Sequence, residues 1–225
     1  MPAQPPILRV AAAARNFVVF IDGAYLEYLF RQQAISVKID FSKFWFELQR
    51  AIERRLHIRL QPLRINYYNA LPFLGRDPTP EAEAAYNRKL AFFAMLEGLP
   101  LIKVRKGNTA MRPGPDGHPV YVQKQVDLLL GLDMALLAAE GRVSHVIMVT
   151  GDADMIPAVD VAQAKGVQVW LAHGPRGTYS DELYGTADGR ISMDETFQRR
   201  VALVHPVCPV ATPVADGRSK LAYAC

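Results

Sequence analysis

The sequence predicts an α/β domain built on a central parallel sheet, and three observations carry that prediction. Short runs rich in β-branched and aromatic residues recur along the chain, and each is followed by a stretch with apolar residues at helical spacing. These runs are apolar throughout rather than alternating, as expected when helices cover both faces of a sheet. Hydrophobic residues make up 50% of the 225, enough for a well-covered core. Strands that alternate with helices are joined by right-handed crossovers, and about five strands are expected.

In chain order, residues 16–22 (NFVVFID) form the first predicted strand, and AYLEYLFRQQ the helix after it. Residues 40–56 open on a polar cap and continue as a helix. Residues 64–70 (RINYYNA) are the second strand. LPFLGRDPTP is a loop by its Pro and Gly content, and PEAEAAYNRKLAFFAMLEG a helix that Gly98 can end. Residues 99–106 (LPLIKVRK) are the third strand, GNTAMRPGPDGHP an irregular loop, and residues 122–141 one long helix despite Gly131. HVIMVTG is the fourth strand, MIPAVDVAQAKG a helix and VQVWLAH the fifth strand. SDELYGTAD offers a short helix capped by Ser180, and RISM one further strand. A single domain over residues 15–200 is expected, with flexible segments at 1–14 and at 201–225, the latter rich in Pro, Ala and Val.

The formal charge of +4 permits a nucleic-acid partner without demanding one. The two cysteines, Cys208 and Cys225, both lie near the C-terminus, which provides neither a disulfide framework nor a thiolate metal cluster. The apolar N-terminal stretch is broken by Arg9, is too short to span a bilayer, and has its prolines ahead of any apolar core, unlike a secretory signal. A soluble, cytoplasmic protein with no membrane partner is expected.

The chemistry-bearing residues are carboxylates. Asp22 ends the first strand, and VIMVTGDADM runs the fourth strand into Gly151 and two aspartates, Asp152 and Asp154. Parallel strands end on one edge, where open α/β sheets bind ligands, and the first and fourth strands are expected as neighbours across the switch point. Asp127 lies near the start of the helix before the fourth strand. That helix runs antiparallel to the strands, so it starts on the same edge. Singly, each aspartate suits a cap, a turn or the positive end of a helix. Together they repel, which raises their pKa values, and a hard divalent cation such as Mg²⁺ or Mn²⁺ relieves the crowding. No His/Cys spacing suits zinc. Such an acidic metal site fits phosphoryl chemistry.

FVVFIDGAYL, KQVDLLLGLDM and VTGDADMIPAVDVAQAKGVQVWL stand in the order and spacing of the NYN domain family, and the chain resembles that family over residues 16–195. These are PIN-like ribonucleases that include the LabA-like proteins. YYNA, the helix around Lys89 to Leu96 and the SDEL…AD segment are similar to the bacterial LabA-like branch. The resemblance implies a PIN-like three-layer α/β/α fold and a metal-dependent endoribonuclease. Its catalytic and metal-binding residues would be Asp22, Asp127, Asp152 and Asp154, with Mg²⁺ or Mn²⁺ as cofactor. Two positions depart from the pattern. Many members have Asn where this chain has Tyr25, and Gly where it has Gln125, a residue that suits a helix.

Tyr25 and Thr150 are candidates for a layer supporting the metal, although Thr150 equally suits a structural hydrogen bond. Lys124 suits a phosphate or a neighbouring acid. Asp133, about 120° around the helix from Asp127, suits an outer position or the helix surface, and Asp188 a structural turn. Single-stranded RNA needs cations for its backbone and aromatic faces for its bases. Lys103, Arg105, Lys106 and Arg112 are expected at and beyond the end of the third strand, on the active edge, with a mobile PGPDGHP loop after them and Tyr121 or Tyr25 for stacking. Solvated loop charge is the plain alternative. A catalytically inactive module that binds RNA or protein is the competing function, favoured by Tyr25, and a homo-oligomer remains open. A haloacid-dehalogenase-type phosphatase would need an Asp where Ala24 stands. A response-regulator receiver would need one at the end of the third strand, where the chain reads KVRKGN.

Overall fold

The computed structural model describes residues 15–32, 38–113 and 119–203. Its strands are β1 (Asn16–Asp22), β2 (Gln61–Ala70), β3 (Ile102–Pro113), β4 (Pro119–Lys124), β5 (His145–Val149), β6 (Gln168–His173) and β7 (Gly189–Ser192). They form one sheet in the order β4-β3-β2-β1-β5-β6-β7. Every neighbouring pair is parallel except the antiparallel β3–β4 hairpin.

Helices cover both faces, giving the expected three layers. Helices α1 (Gly23–Gln32), α2 (Phe41–Leu56), α3 (Pro80–Glu97) and α7 (Glu195–Val201) pack on one face. Helices α4 (Val126–Ala139), α5 (Ile156–Ala164) and α6 (Asp181–Thr186) pack on the other. The central strand shows why its sequence is apolar throughout. Phe17, Val19 and Ile21 enter the first core, and Val18 and Phe20 the second, all fully buried.

The structure has seven strands where about five were expected. Residues 108–113 extend β3, and 119–124 pair back against it, so the segment expected as a loop and the first turn of a helix is an edge hairpin. Its prolines hid it. Pro113 and Pro119 face each other at the end of the ladder, on an edge where a missing N–H is tolerated. Helix α4 consequently starts at Val126 rather than at residue 122, and Lys124 lies on β4. Helix α7 was also not anticipated. Asp194 caps it by accepting from the Phe197 N–H at 2.8 Å, and Phe197 and Val201 anchor it in the core.

Packing continues past the expected domain end: Val201 is buried and Ala202 bridges Ile39. The rest of the expected tail, the segment 1–14 and the loop residues 114–118 lie outside the described residues. Among the described residues no helix is long and apolar enough to cross a membrane.

Candidate active site

Strands β1 and β5 are neighbours, with Ile21 opposite Val149, so Asp22 and the Gly151–Asp154 turn leave the sheet at the same edge. Helix α4 starts at that edge and packs against the 3₁₀ turn Ala153–Met155. The ordinary capping role and the candidate chemistry coexist in the same residues. Asp22 Oδ1 accepts the N–H groups of Ala24 (2.9 Å) and Tyr25 (3.1 Å), which starts α1. Asp152 Oδ1 accepts the Asp154 N–H at 2.9 Å, which starts the 3₁₀ turn. Each cap uses one carboxylate oxygen. Thr150 is buried, and its Oγ1 accepts the Asp152 N–H at 3.2 Å, so it holds the backbone of that turn. Asp154 is exposed, and Asp127 sits in the first turn of α4.

Charge links these groups. Burial pushes the Asp22 carboxyl up to about 6; the Tyr25 and Ala24 N–H groups pull it down, and the charges of Asp127 and Asp152 raise it further. Asp127 is raised by burial first, then by the charges of Asp152 and Asp154, against the pull of its own N–H. Four carboxylates from three segments therefore share one electrostatic field. Among the described residues, no three His, Cys, Asp or Glu side chains form a group shaped to hold an ion on their own. A hard cation of the Mg²⁺ type bonds few protein oxygens directly and keeps several waters, so it would need only part of such a set.

The turns explain the glycines. A Cβ on Gly151 would lie 2.3 Å from the Thr178 carbonyl oxygen and 2.8 Å from the Tyr25 ring. The loop after β6 crosses directly over it, tied by the Ser180 N–H to the Gly151 carbonyl at 2.9 Å. A Cβ on Gly23 would lie 2.5 Å from Tyr67 Oη and 2.7 Å from Asn69 Nδ2.

Tyr25 is buried, so it is no stacking platform for a base. Its hydroxyl accepts the Gly174 N–H at 3.1 Å and meets Thr178 Oγ1 at 3.4 Å, and it fastens the loop that lies over Gly151. Gln125 is not in the helix interior. It precedes α4 with φ 70° and ψ −6°, a left-handed conformation that favours glycine, which accounts for the glycine of the resembling family. Asn108 Nδ2 donates to Gln125 Oε1 at 3.0 Å and steadies it there.

The expected RNA-binding cations divide between several surroundings. Arg105 lies level with Tyr68 and hence with Asp22, and Lys106 with Asn69, but β3 runs on past them rather than ending there. Arg105 donates to Asp133 Oδ1 at 2.8 Å, and the Tyr68 hydroxyl donates to Asp133 Oδ2 at 2.7 Å. Asp133 thus serves as their anchor on the α4 face. Lys103 and Arg105 line a cleft there with Arg64 and Arg142. Lys106 faces the other way, 3.6 Å from Glu97 and over the Phe93 ring. Arg112 is exposed on the hairpin, and Lys124 stands opposite Asn108. Asp188 Oδ2 accepts the Val169 N–H at 2.7 Å, a structural tie at β6.

One polar network was not anticipated. Glu27 Oε1 accepts from the Tyr67 hydroxyl and from Asn69 Nδ2, each at 2.9 Å, and from Lys89, while Oε2 accepts from Arg31 at 3.2 Å. The available signal was the polar end of an apolar strand, YYNA, together with Glu27, five residues after Asp22 on α1.

An α/β/α domain with a mostly parallel sheet and aspartates at the carboxyl edge of its central strands has the architecture of the PIN-like class. The NYN domain model matches residues 16–194, and the chain belongs to the NYN domain family, whose chemistry is of the ribonuclease type. An uncharacterized protein, y4oD, of Sinorhizobium fredii (strain NBRC 101917 / NGR234) is 34% identical over 103 residues, which span 44% of this chain and 48% of that relative. The match thus spans about half the length of that curated relative. The crystal structure of a protein of unknown function, VPA0982 from Vibrio parahaemolyticus RIMD 2210633, superposes with a TM-score of 0.58 at 19% identity, covering 86% of this chain and 99% of that one. That likeness concerns the fold.

Proposed function

We propose that this protein is a metal-dependent endoribonuclease that hydrolyses phosphodiesters of single-stranded RNA at Asp22, Asp127, Asp152 and Asp154. The observation that carries the proposal is the shared field. Asp22, raised to about 6, feels Asp127 and Asp152, and Asp127 feels Asp152 and Asp154. Crowded carboxylates at a ligand-binding edge destabilise a protein unless a cation compensates them. Asp22, Asp127 and Asp152 would hold Mg²⁺ or Mn²⁺, in good part through water, with Asp154 adding charge at the exposed mouth. A bound ion of this kind makes water acidic enough to attack phosphorus and neutralises phosphate charge. Thr150 fixes the backbone from which Asp152 projects, and Gly151 lets the loop after β6 close over that turn. Of the expected cations, Arg112 and Lys124 on the β3–β4 hairpin are the ones left to draw the RNA backbone towards the edge, since Lys103 and Arg105 line the α4-face cleft and Lys106 pairs with Glu97.

The test is cleavage of an unstructured labelled RNA by the purified protein, with Mn²⁺ and with chelator. Wild type cleaves only with metal. Asp152→Asn loses more than about a hundredfold, beyond the range usual for groups that merely support a ligand. Equal rates for mutant and wild type would remove Asp152 from the chemistry. The second reading, an inactive module that binds RNA, is favoured by Tyr25, whose hydroxyl is committed to Gly174 and Thr178 and which offers no side-chain amide beside Asp22. It predicts RNA binding without cleavage under any divalent metal.

A further inference from the structure

A cavity of about 590 Å³ opens at the carboxyl end of β2, between α1, α3 and the β3–β4 hairpin. Arg31, Arg88 and Lys89 line it, with Glu27 as the carboxylate among the lining residues. Glu27 is already engaged by Lys89 and Arg31. Arg88 is exposed and forms no ion pair among the described residues, so the opening carries net positive charge. On the opposite wall Tyr121 is 56% exposed. Its ring rests on Phe73, with centroids 5.7 Å apart and planes at 37°. The tyrosine is thereby held on one side by a tilted ring contact, and much of the ring meets solvent. Asn69 belongs to its lining, and a Cβ placed on Gly23, the residue after Asp22, would lie 2.7 Å from Asn69 Nδ2, so this wall of the cavity backs onto the turn that carries Asp22.

We propose that this groove holds one unpaired nucleotide of the substrate strand, with its base stacked on Tyr121 and a phosphate on Arg88 and Arg31. The proposal deepens the ribonuclease reading and rests on it for the identity of the ligand. The volume suits a ligand of nucleotide size. Cations along one wall and an exposed aromatic ring on the other are what single-strand recognition requires. A base stacked in duplex has no face to offer Tyr121, so the groove selects unpaired RNA.

Binding is measured with a fluorescein-labelled ten-nucleotide oligouridylate, by anisotropy, on the full chain in chelator, so that cleavage plays no part. Arg88→Ala and Tyr121→Ala each weaken binding about tenfold, and Tyr121→Phe stays within about twofold of wild type because the stacking face is retained. The same RNA annealed to its complement competes poorly. Both positions are exposed, and unchanged melting curves check that the variants fold. Wild-type affinity in Tyr121→Ala, or equal competition by the duplex, overturns the proposal. If the variants lose affinity while wild type cleaves nothing in Mn²⁺, the groove stands and the nuclease reading falls.

Discussion

Replacing Asp22 by Asn should stabilise the metal-free protein, and the structure supplies the size of the effect. The Asp22 carboxyl is raised from 3.8 to about 6, by burial first and then by the charges of Asp127 and Asp152. The folded state therefore binds the proton more tightly than the unfolded state. Stability falls as pH rises from about 4, and the whole loss is present above about 6. A rise of that size corresponds to about 3 kcal/mol at neutral pH. Asn carries no charge to desolvate, yet its side-chain oxygen can accept the same N–H groups of Ala24 and Tyr25, since Asn caps helices about as well as Asp.

The measurement is thermal unfolding of wild type and Asp22→Asn in chelator at pH 7.5 and at pH 4. At about 2–4 °C per kcal/mol for a domain of this size, the mutant should melt roughly 6–12 °C higher at pH 7.5. Near pH 4 the advantage should disappear, because Asp22 is then largely protonated in the folded wild type. Adding Mn²⁺ should raise the wild-type Tm more than the mutant's, since only binding to the folded state stabilises it. A mutant that melts lower at pH 7.5, or whose advantage is the same at both pH values, would refute the reasoning. Asp22 would then be a cap and nothing more.

Two further outcomes test the turns. Gly151→Ala places a methyl group 2.3 Å from a backbone carbonyl oxygen, which has no rotamer to escape through, and should cost about 3 kcal/mol in urea denaturation; an unchanged midpoint would show that the loop over Gly151 yields freely. Tyr25→Phe leaves the buried Gly174 N–H without its acceptor and should cost about 1–3 kcal/mol; amide exchange at Gly174 should quicken, and unaltered protection there would deny that Tyr25 fastens this loop.

The sequence made the central strands legible because β1, β5 and β6 are buried on both faces and carry no polar interruption. That Asp22, Asp127, Asp152 and Asp154 reach the same edge was legible for a related reason: in a parallel sheet, the direction of each element decides which edge its end reaches. The hairpin was not. Its strands lie at an edge, carry prolines and expose Met111, Val120 and Tyr121, so no pattern of burial marks them. Gln125 looked like a helix residue because helix propensity says nothing of a positive φ one residue before the helix begins. The partners of Arg105 and Lys106 were hidden too, since Asp133 and Glu97 reach them only through packing.

The acidic edge is stiff where it could have been loose. Each chain segment that brings a carboxylate to it passes through a constrained turn within two residues of that carboxylate. Gly23 follows Asp22 and is pressed against Tyr67 and Asn69. Gly151 precedes Asp152 and lies beneath the Thr178 carbonyl. Gln125, two residues before Asp127, is held at φ 70°. Mutual repulsion would move such charges apart if their backbones could yield. Here Asp22 and Asp152 are tied to the N–H groups of the turns they start, and the turns are set by close backbone packing. The raised pKa values of Asp22 and Asp127 come first from the burial these turns impose and then from the neighbouring charges, and the packing of the two cores bears that cost. If this edge takes a cation and a phosphate, as proposed above, a site prepared this way would need little rearrangement, which is the condition under which fixed charges assist catalysis most.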